Sequence, residues 1–263
     1  MDATSSKRLL SYVRRAVEDY NMIRPNDVIA VGVSGGKDSL SLLYALAQLR
    51  RFYPVPFYLT AITVDMGFPG TDYSRIQALC AELNVPYHIG PTEISRIIFD
   101  VRKEKNPCSL CSKMRRGALH KAAKSLGCTA VALGHHFDDV VDTFMLNLFF
   151  EGRLGCFQPV TYLSRTDLYV IRPLLYLPEK DIRYFTSRAS LPVVTSACPA
   201  NGNTERAAMK ELLTRLEKDN KGLRYRIFGA IQRGKIDGFH ETGRMTGIKA
   251  YTDPEEEDGD TII

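Results

Sequence analysis

The most constraining feature of this chain is the hexapeptide Ser-Gly-Gly-Lys-Asp-Ser at residues 34–39. It follows an apolar run at 28–33 and precedes a segment of helical character at 40–49. A strand, a glycine turn and a helix start in this order form a phosphate cradle, because the N–H groups of the turn and the positive end of the helix dipole both face an anion. The segment therefore predicts an α/β fold whose first strand ends at a phosphate-binding loop.

This loop differs from a Walker A motif, which requires Gly-x-x-x-x-Gly-Lys followed by Ser or Thr. Here Asp38 follows Lys37, and Val31 stands where the first glycine would be. We expect Lys37 to neutralise phosphate charge and Asp38 or Ser39 to hold Mg²⁺, since this ion prefers hard oxygen ligands. The loop resembles the pyrophosphate-binding PP-loop of ATPases that cleave ATP between the α and β phosphates and adenylate a substrate.

Further apolar runs at 57–64, 86–89, 130–133 and 168–171 alternate with helix-like segments. This alternation predicts an α/β fold with a Rossmann-like parallel sheet of about five strands, covered by helices on both faces. Ligands of such sheets bind at the carboxyl ends of the strands. Ser34, Asp65 and Gly134 all follow or end predicted strands, so we expect one ligand crevice there.

The sequence is predicted to have four regions. These are an N-terminal helix at 1–25, a PP-loop ATPase domain at 26–197, a helical appendage at 198–235 and an acidic tail at 236–263. The appendage is inferred from amphipathic, basic segments at 204–216 and 223–232. The tail is rich in Gly, Thr and acidic residues and is predicted to be disordered.

The composition is typical of a globular protein, with 44% hydrophobic residues. No apolar run reaches the roughly 18 residues of a membrane span. Residues 1–15 lack the apolar segment and cleavage site of a signal peptide. We therefore expect a cytoplasmic protein that does not associate with a membrane.

The charge is unevenly distributed. Removing the six acidic residues at 253–260 from a net charge of +5 leaves the rest of the chain at +11. Such a charge is compatible with polyanion binding or with a solvated basic surface. Residues 102–124 hold eight bases and one acid around a pair of cysteines, which favours a polyanionic substrate.

Six cysteines in a cytosolic chain argue against a disulfide framework. Cys108 and Cys111 form a Cys-x-x-Cys pair, which is compatible with a zinc half-site, an iron–sulfur half-site, a redox pair or coincidence. The best further ligand is Cys198. Three thiolates would leave one iron of a [4Fe–4S] cluster without a protein ligand, and an open iron suits the binding of a sulfur atom. Cys80, Cys128 and Cys156 are expected to be buried spectators.

A second motif, Gly-His-His-Phe-Asp-Asp, occupies residues 134–139. Asp138 and Asp139 come at the start of a predicted helix. There they could share a magnesium ion, position a lysine or arginine, or cap the helix without any further function. Their occurrence together with the phosphate loop favours catalysis. His135 and His136 are expected to pack or form hydrogen bonds rather than bind a metal.

The motifs occur in a recognisable order. The phosphate loop is followed by Cys-Ser-Leu-Cys-Ser-Lys-Met-Arg-Arg-Gly at 108–117, Leu-Gly-His-His-Phe-Asp-Asp at 133–139, Ile-Arg-Pro-Leu at 171–174 and a late cysteine. Together they resemble the TtcA family of tRNA 2-thiocytidine synthetases. The resemblance runs from about residue 9 to about residue 216.

The resemblance implies that ATP adenylates the C2 oxygen of cytidine 32 in a tRNA anticodon loop. Sulfur delivered through a [4Fe–4S] cluster then displaces AMP. The implied cofactors are ATP, Mg²⁺ and the cluster. The implied partners are tRNA and a sulfur donor such as a cysteine desulfurase, and a homodimer is one option for the assembly.

The resemblance also assigns roles to residues. The implied cluster ligands are Cys108, Cys111 and Cys198, and the implied catalytic residues are Lys37, Asp38, Arg115, Asp138 and Asp139. The residues expected to bind the nucleotide and its metal are Ser34, Gly35, Gly36, Lys37, Asp38, Ser39, Asp65, Gly134 and His135.

Two other hypotheses remain at the level of sequence. An enzyme with the same cluster could insert or remove sulfur on a small molecule or free base. A zinc-stabilised nucleotide-binding module would have no catalytic activity. The basic run at 102–124 favours tRNA as the substrate over both.

Overall fold

The structure is a computed structural model that describes residues 3–103, 107–194, 198 and 205–242. Its strands are β1 (Val28–Gly32), β2 (Tyr58–Asp65), β3 (Tyr87–Pro91), β4 (Ala130–Ala132), β5 (Val160–Leu163) and β6 (Leu168–Ile171). Its helices are α1 (Ala3–Asp19), α2 (Lys37–Leu49), α3 (Ser74–Glu82), α4 (Ile94–Arg96), α5 (Pro107–Ser125), α6 (Phe137–Phe150), α7 (Glu179–Arg188), α8 (Glu205–Asp219) and α9 (Leu223–Arg233). A π-helical turn, Ile97–Val101, continues α4, and a 3-10 turn, Ile236–Gly238, follows α9.

The six strands form one sheet in the order β3-β2-β1-β4-β6-β5. The first five strands in this order are parallel, which confirms the predicted Rossmann-like sheet, and β5 adds an antiparallel edge. The sequence analysis did not identify β5, because this strand is short, has no fully buried residue and depends on its pairing with β6.

The order of the strands places a topological switch point between β1 and β4. From β1 the chain proceeds outward to β2 and β3, whereas β4 is followed on the other side by β6. A crevice forms at such a point because the connections leave neighbouring strands in opposite directions, and ligands of open α/β sheets bind there. The loop after β1 and the segment after β4 therefore border the same crevice.

Burial on both faces of the sheet explains the continuous apolar character of the central strands. Ile29, Ala30 and Val31 of β1 are fully buried, as expected for a parallel strand covered on both sides. One core cluster joins β1, β2, β4 and β6 to α5, and its members are Ala30, Ile62, Leu119, Ala123, Cys128, Val131 and Leu168. This packing holds α5, which carries the cysteine pair, against the sheet.

The start of α5 differs from the prediction. The apolar pattern predicted a helix over 111–126, but α5 begins at Pro107, a residue type suited to the first turn of a helix. Cys108 therefore lies within the first turn of α5, one residue after its start, and Cys111 lies one turn inside the helix. The helical turns at 94–101 were not predicted. For α6 and α7 the predicted ranges 137–150 and 179–188 match the structure.

The chain divides into two compact units. One comprises Met1–Phe137 and Pro159–Asn203 and contains the sheet, and the other comprises Asp138–Gln158 and Thr204–Ile263. In the second unit Phe239 is buried and its ring lies 5.8 Å from that of Phe228, so the segment at 236–239, which was assigned to the tail, is packed. The rest of the predicted tail, 243–263, lies outside the described residues.

Among the described residues, no helix combines the length and apolar character that a membrane crossing requires.

Helix α7 packs against α2 through an aromatic pair, which provides a test of this fold. The rings of Tyr44 and Phe185 lie 5.1 Å apart, and Phe185 is buried. We expect Phe185→Ala to lower the free energy of unfolding by about 3–5 kcal/mol, because the substitution leaves a cavity. Urea denaturation followed by circular dichroism measures this change.

The neighbouring Tyr184 is the matched control. Its side chain is 52% exposed and contacts Arg188 through a cation–π interaction. Tyr184→Ala should cost about 1 kcal/mol or less. Equal destabilisation by both substitutions would contradict the observed orientation of α7.

Candidate active site

Hydrogen bonds from two serines close the loop between β1 and α2. The backbone N–H of Ser34 donates to Ser39 Oγ at 3.1 Å, and Ser34 Oγ donates to the same atom at 3.2 Å. Ser39 Oγ in turn donates to the carbonyl of Gly36 at 2.9 Å. Since a hydroxyl has one donor and two acceptor positions, these bonds occupy Ser39 fully. Of the two candidate magnesium ligands in the loop, the structure leaves Asp38 with the available oxygen.

The first glycine of the loop is required by its backbone geometry. Gly35 has a φ of +82°, in the left-handed region that favours glycine. A Cβ at this position would lie 3.1 Å from the Cβ of Val194. The N–H of Val194 also donates to the Gly35 carbonyl at 2.9 Å. The segment after α7 is therefore fastened to the phosphate loop.

Lys37, the first residue of α2, lies between two carboxylates. Its Nζ is 2.9 Å from Asp38 Oδ2 and 3.0 Å from Glu179 Oε1. Burial, the largest single effect, lowers the pKa of Lys37, but the bonds and charges of the two acids together outweigh burial and raise the pKa. Lys37 is therefore a firmly charged ammonium group at the point where an anion would bind.

The other oxygen of Asp38 has a different environment. Asp38 Oδ1 is buried and has no hydrogen-bond donor, and His136 Nε2 lies 3.7 Å away, beyond hydrogen-bond distance. A buried carboxylate oxygen without a donor is costly unless a cation or donor satisfies it. The residues present therefore fit a Mg²⁺ ion bound beside the phosphates, with Asp38 as a ligand.

Gly134 allows the end of β4 to approach the start of α2. A Cβ on Gly134 would lie 3.1 Å from the carbonyl carbon of Asp38 and 3.2 Å from the N of Ser39. His135, which follows, is half-buried, and His136 is buried. The structure therefore brings Gly134 to the phosphate loop, as the strand-end pattern predicted.

Asp65 ends β2, next to β1 at the same edge of the sheet. Its Oδ1 accepts hydrogen bonds from the N–H of Gly67 at 3.0 Å and from the hydroxyl of Tyr73 at 3.1 Å. Burial, followed by the charge of Asp65, raises the pKa of Tyr73 to about 12. Asp65 thus shapes the loop after β2 and holds Tyr73 as a neutral donor.

The three predicted cluster ligands come together in the first unit. Cys108 is exposed, whereas Cys111 and Cys198 are half-buried. The pKa of the Cys111 thiol is raised by burial first, and the proximity of Cys198 and Cys108 raises it further. Cys198 is therefore a neighbour of the pair on α5, although 86 residues separate it from Cys111 in the sequence.

The chemistry of these three residues suits an iron–sulfur cluster. Cysteine thiolates are the protein ligands of [4Fe–4S] clusters, and each binds a different iron atom. Three neighbouring cysteines therefore fit a cluster with one open iron. As the side chains are placed in the structure, the described residues include no group of three His, Cys, Asp or Glu that could hold a metal ion.

Arg115 interacts with both the cysteine site and a residue at the edge of the sheet. It lies one helical turn after Cys111, and its guanidinium donates a hydrogen bond to the Cys111 sulfur and lowers the pKa of that thiol. The same guanidinium is close enough to Tyr73 to lower the pKa of its hydroxyl. Arg115 therefore lies between the cysteine site and the Tyr73–Asp65 pair.

The two other candidate acids lie in the second unit, on the first turn of α6. Asp138 Oδ1 is 3.4 Å from Arg224, which is also 2.9 Å from the buried Asp142. Asp139 Oδ1 is 3.1 Å from Arg206. Of the roles considered for this pair of acids, the structure shows ion pairs with arginines of α8 and α9.

The sequence analysis did not identify Glu179 as a site residue. Glu179 begins α7, is buried, and contacts Arg183 at 2.8 Å as well as Lys37. A cavity of about 580 Å³ opens beside Lys37, with Arg75, Arg183, Thr186, Leu191 and Val193 among its lining residues. The only local signal was an acid in a predicted first helical turn, which is common without any function.

Two of the three remaining cysteines are excluded from the site by burial. Cys80 and Cys128 are both buried, and burial raises the pKa of Cys80 to about 11 and that of Cys128 above its ordinary value. Both thiols are packed inside the core, so neither is accessible to a ligand at the surface. Cys156 is half-buried in the second unit, and its sulfur donates to the carbonyl of Val140 at 3.5 Å.

The contact at Gly134 leads to a prediction. We expect Gly134→Ala to lower the free energy of unfolding by about 1–3 kcal/mol, because the added methyl group meets backbone atoms that cannot rotate away. Gly117→Ala is the matched control, since Gly117 lies within α5 and a Cβ there would meet nothing within 4 Å. This control should stabilise the protein by up to about 1 kcal/mol. Thermal denaturation of both variants measures these effects, and similar values would contradict the close approach of β4 and α2.

Comparison with known proteins agrees with this geometry. Residues 4–217 match the PP-loop domain family. The chain is 40% identical over 234 residues to the tRNA-cytidine(32) 2-sulfurtransferase of Geobacter sulfurreducens, covering 88% of this chain and 91% of that protein. It is 41% identical over 228 residues to the enzyme of the same name from Pelobacter propionicus, covering 86% of this chain and 85% of that protein.

A solved structure is also similar. It is the U34-tRNA thiolase NcsA from Methanococcus maripaludis with its [4Fe-4S] cluster. The TM-score is 0.72 at 27% sequence identity, and the match covers 89% of this chain and 80% of that one. The chain therefore belongs to the PP-loop domain family and, within it, to the tRNA-cytidine(32) 2-sulfurtransferases.

Proposed function

We propose that this protein is an ATP-dependent tRNA sulfurtransferase that replaces the C2 oxygen of cytidine 32 with sulfur. The observation that carries the proposal is the position of Arg115. It interacts both with Cys111 of the cysteine site and with Tyr73, the partner of Asp65 at the edge of the sheet where β1 also leads into the phosphate loop. An enzyme that joins ATP cleavage to sulfur transfer needs these two sites as neighbours. The names of the relatives and the [4Fe-4S] cluster of NcsA support the same reading.

The first step activates the base. The C2 oxygen of the cytidine attacks the α-phosphorus of ATP, and the bond to the β-phosphate oxygen breaks to release pyrophosphate. The backbone N–H groups of the loop and the Lys37 ammonium stabilise the negative charge that develops on the leaving pyrophosphate. Asp38, whose Oδ1 is buried without a donor, would hold a Mg²⁺ ion that accompanies the nucleotide, and the ion would neutralise phosphate charge.

The second step exchanges oxygen for sulfur. A carbonyl oxygen is a poor leaving group, but once adenylated it departs as part of AMP when sulfur forms a bond to C2. Cys108, Cys111 and Cys198 would hold the [4Fe–4S] cluster, which when bound would supply sulfur for the exchange. Arg115 contacts the Cys111 sulfur and places positive charge beside the cysteines. Asp138 and Asp139 are proposed as further catalytic acids, and each pairs with an arginine of its own unit.

The exposed face of α5 is the proposed tRNA-binding surface. Its exposed basic side chains are Lys113, Arg115, Arg116, Lys121 and Lys124. Contacts from such residues to phosphates give affinity without base specificity and weaken steeply as salt rises. The base itself must therefore be selected near the strand ends, where the reaction occurs.

The remaining parts of the proposal concern the setting of the reaction. A sulfur donor such as a cysteine desulfurase renews the sulfur, and the reaction takes place in the cytoplasm, where tRNA is modified. The proposed assembly of the protein is a homodimer.

The rival small-molecule enzyme is less well supported, because it leaves the exposed basic face of α5 without a role. The rival zinc module is less well supported because a tetrahedral zinc site needs a fourth good ligand beside the three cysteines, and because the relatives are named as sulfurtransferases.

Mass spectrometry of tRNA nucleosides tests the proposal directly. A strain that lacks this protein should lose 2-thiocytidine, and the wild-type gene should restore it. Asp38→Asn should restore less than about one hundredth of the wild-type level, since it removes the proposed metal ligand. Glu151→Gln is the matched control, because Glu151 is an exposed acid that pairs with Arg153 away from α5, and this variant should restore the nucleoside fully. Unchanged 2-thiocytidine in the deletion strain would show that the substrate is wrong.

The cysteine assignment has its own test. After anaerobic purification, Cys108→Ala, Cys111→Ala and Cys198→Ala should each lose most of the iron and the visible absorbance of the wild-type protein, because each removes one of three ligands. Binding of ATP, measured by isothermal titration, should be retained. Cys156→Ser, which keeps the hydrogen bond to Val140, should keep the full iron content. Retention of the cluster in Cys198→Ala would remove that residue from the ligand set.

A further inference from the structure

The buried acid Glu179 has no role in the steps described above. Its carboxylate is in contact with Lys37 Nζ at 3.0 Å and with Arg183 at 2.8 Å, and its side chain is only 11% exposed. It is the first residue of α7, directly after Pro178. A buried carboxylate with two cationic partners is costly to desolvate, so its presence beside the phosphate loop calls for an explanation.

The position of Glu179 is fixed by the packing of α7. The hydroxyl groups of Ser41 and Thr186 form a buried hydrogen bond of 3.1 Å between α2 and α7. The segment after α7 is bonded to the phosphate loop through Val194 and Gly35. Glu179 is therefore held in place relative to the loop, and it reaches Lys37 of α2 from the start of α7.

The two acids on Lys37 differ in what they can do once substrate is bound. Asp38 is the proposed ligand of Mg²⁺, and a carboxylate that binds a cation attracts a neighbouring ammonium less strongly. Glu179 is not a proposed metal ligand, and besides Lys37 its carboxylate contacts Arg183 at 2.8 Å. It is then the acid that keeps Lys37 in place, because the lysine side chain is long, flexible and has three rotatable donors.

We infer that Glu179 is a positioning residue that holds the Lys37 ammonium where it meets the pyrophosphate leaving from ATP. The inference rests on the proposed function, since it needs ATP cleavage at this loop. Glu179 acts through Lys37 and does not touch the substrate itself. Arg183 offsets part of the negative charge of Glu179, so that the carboxylate orients Lys37 without fully cancelling its charge.

A positioning role has a kinetic signature that general loss of structure lacks. Removing the charge of Glu179 removes an anion near the phosphates, so ATP should bind at least as well. The rate of pyrophosphate release should fall, because Lys37 is no longer held where the leaving group develops charge. The variant therefore separates binding from chemistry, with kcat lowered and KM for ATP not raised.

The test is Glu179→Gln in the full-length, cluster-loaded protein. With tRNA and ATP, the rate of pyrophosphate release in a single turnover should fall about 10- to 100-fold, as expected when a catalytic group is misplaced. The dissociation constant for ATP should stay the same or decrease. Glu179→Asp keeps the charge on a shorter side chain and should recover part of the rate.

Asp181→Asn is the matched control. Asp181 is also a carboxylate in the first turn of α7, but it pairs with Arg8 at 2.9 Å. It should keep the wild-type rate, although it removes the same charge from the same helical turn. Thermal denaturation of both variants ensures that the compared proteins are folded.

A double-mutant cycle isolates the contact itself. In a Lys37→Gln background, Glu179→Gln should have no further effect on the rate, because the group that it positions is absent. A wild-type rate in Glu179→Gln, or a raised dissociation constant for ATP with an unchanged rate, would overturn the positioning role alone. Absence of pyrophosphate release from the wild-type protein with tRNA would instead overturn the proposed function, and this inference with it.

Discussion

The close approach of the end of β4 to the start of α2 is the contact on which the rest of the site depends. A Cβ at Gly134 would lie 3.1 Å from the carbonyl carbon of Asp38 and 3.2 Å from the N of Ser39, so the absence of a side chain allows the two segments to approach. Because β1 and β4 are neighbours on either side of the switch point, this contact lies at the crevice. The hydroxyl of Ser39 is used in hydrogen bonds within the loop. The carboxylate of Asp38 is therefore the group of the loop that is available to bind a cation.

The charged residues of the site form two groups. In the first, Lys37 is held by Asp38 and Glu179, so that a cation remains charged in a half-buried position. In the second, Arg115 binds the sulfur of Cys111 and lies near Tyr73, whose hydroxyl donates to Asp65. The first group is placed to act on phosphates and the second to join sulfur to the same edge of the sheet. Both groups lie in the unit that contains the sheet, and β1 and β2, which lead to Lys37 and Asp65, are neighbours.

The pattern of apolar residues was sufficient to predict those strands and helices that are largely buried. The fully buried run of β1 and the apolar helix α6 were located from composition alone, because an element covered by others must be apolar. The antiparallel strand β5 was missed because its residues are only partly buried and it is stabilised by β6. The start of α5 was placed too late, since Cys108 and the residues beside it lack the apolar spacing that marks a helix. Phe239 was assigned to the tail, although its contact with Phe228 buries it.

The sequence by itself determined the chemistry that is available to this protein. The loop at 34–39, the cysteine pair on α5 and the order of the motifs indicated ATP cleavage and sulfur transfer, because each is a short segment whose residue types carry their meaning locally. Only the tertiary structure decided which distant groups act together. It placed Cys198 near Cys111, used the hydroxyl of Ser39 in hydrogen bonds within the loop and brought Glu179 into contact with Lys37. Such contacts arise from the packing of α5 and α7 on the sheet and on α2, and no local pattern in a single sequence records them.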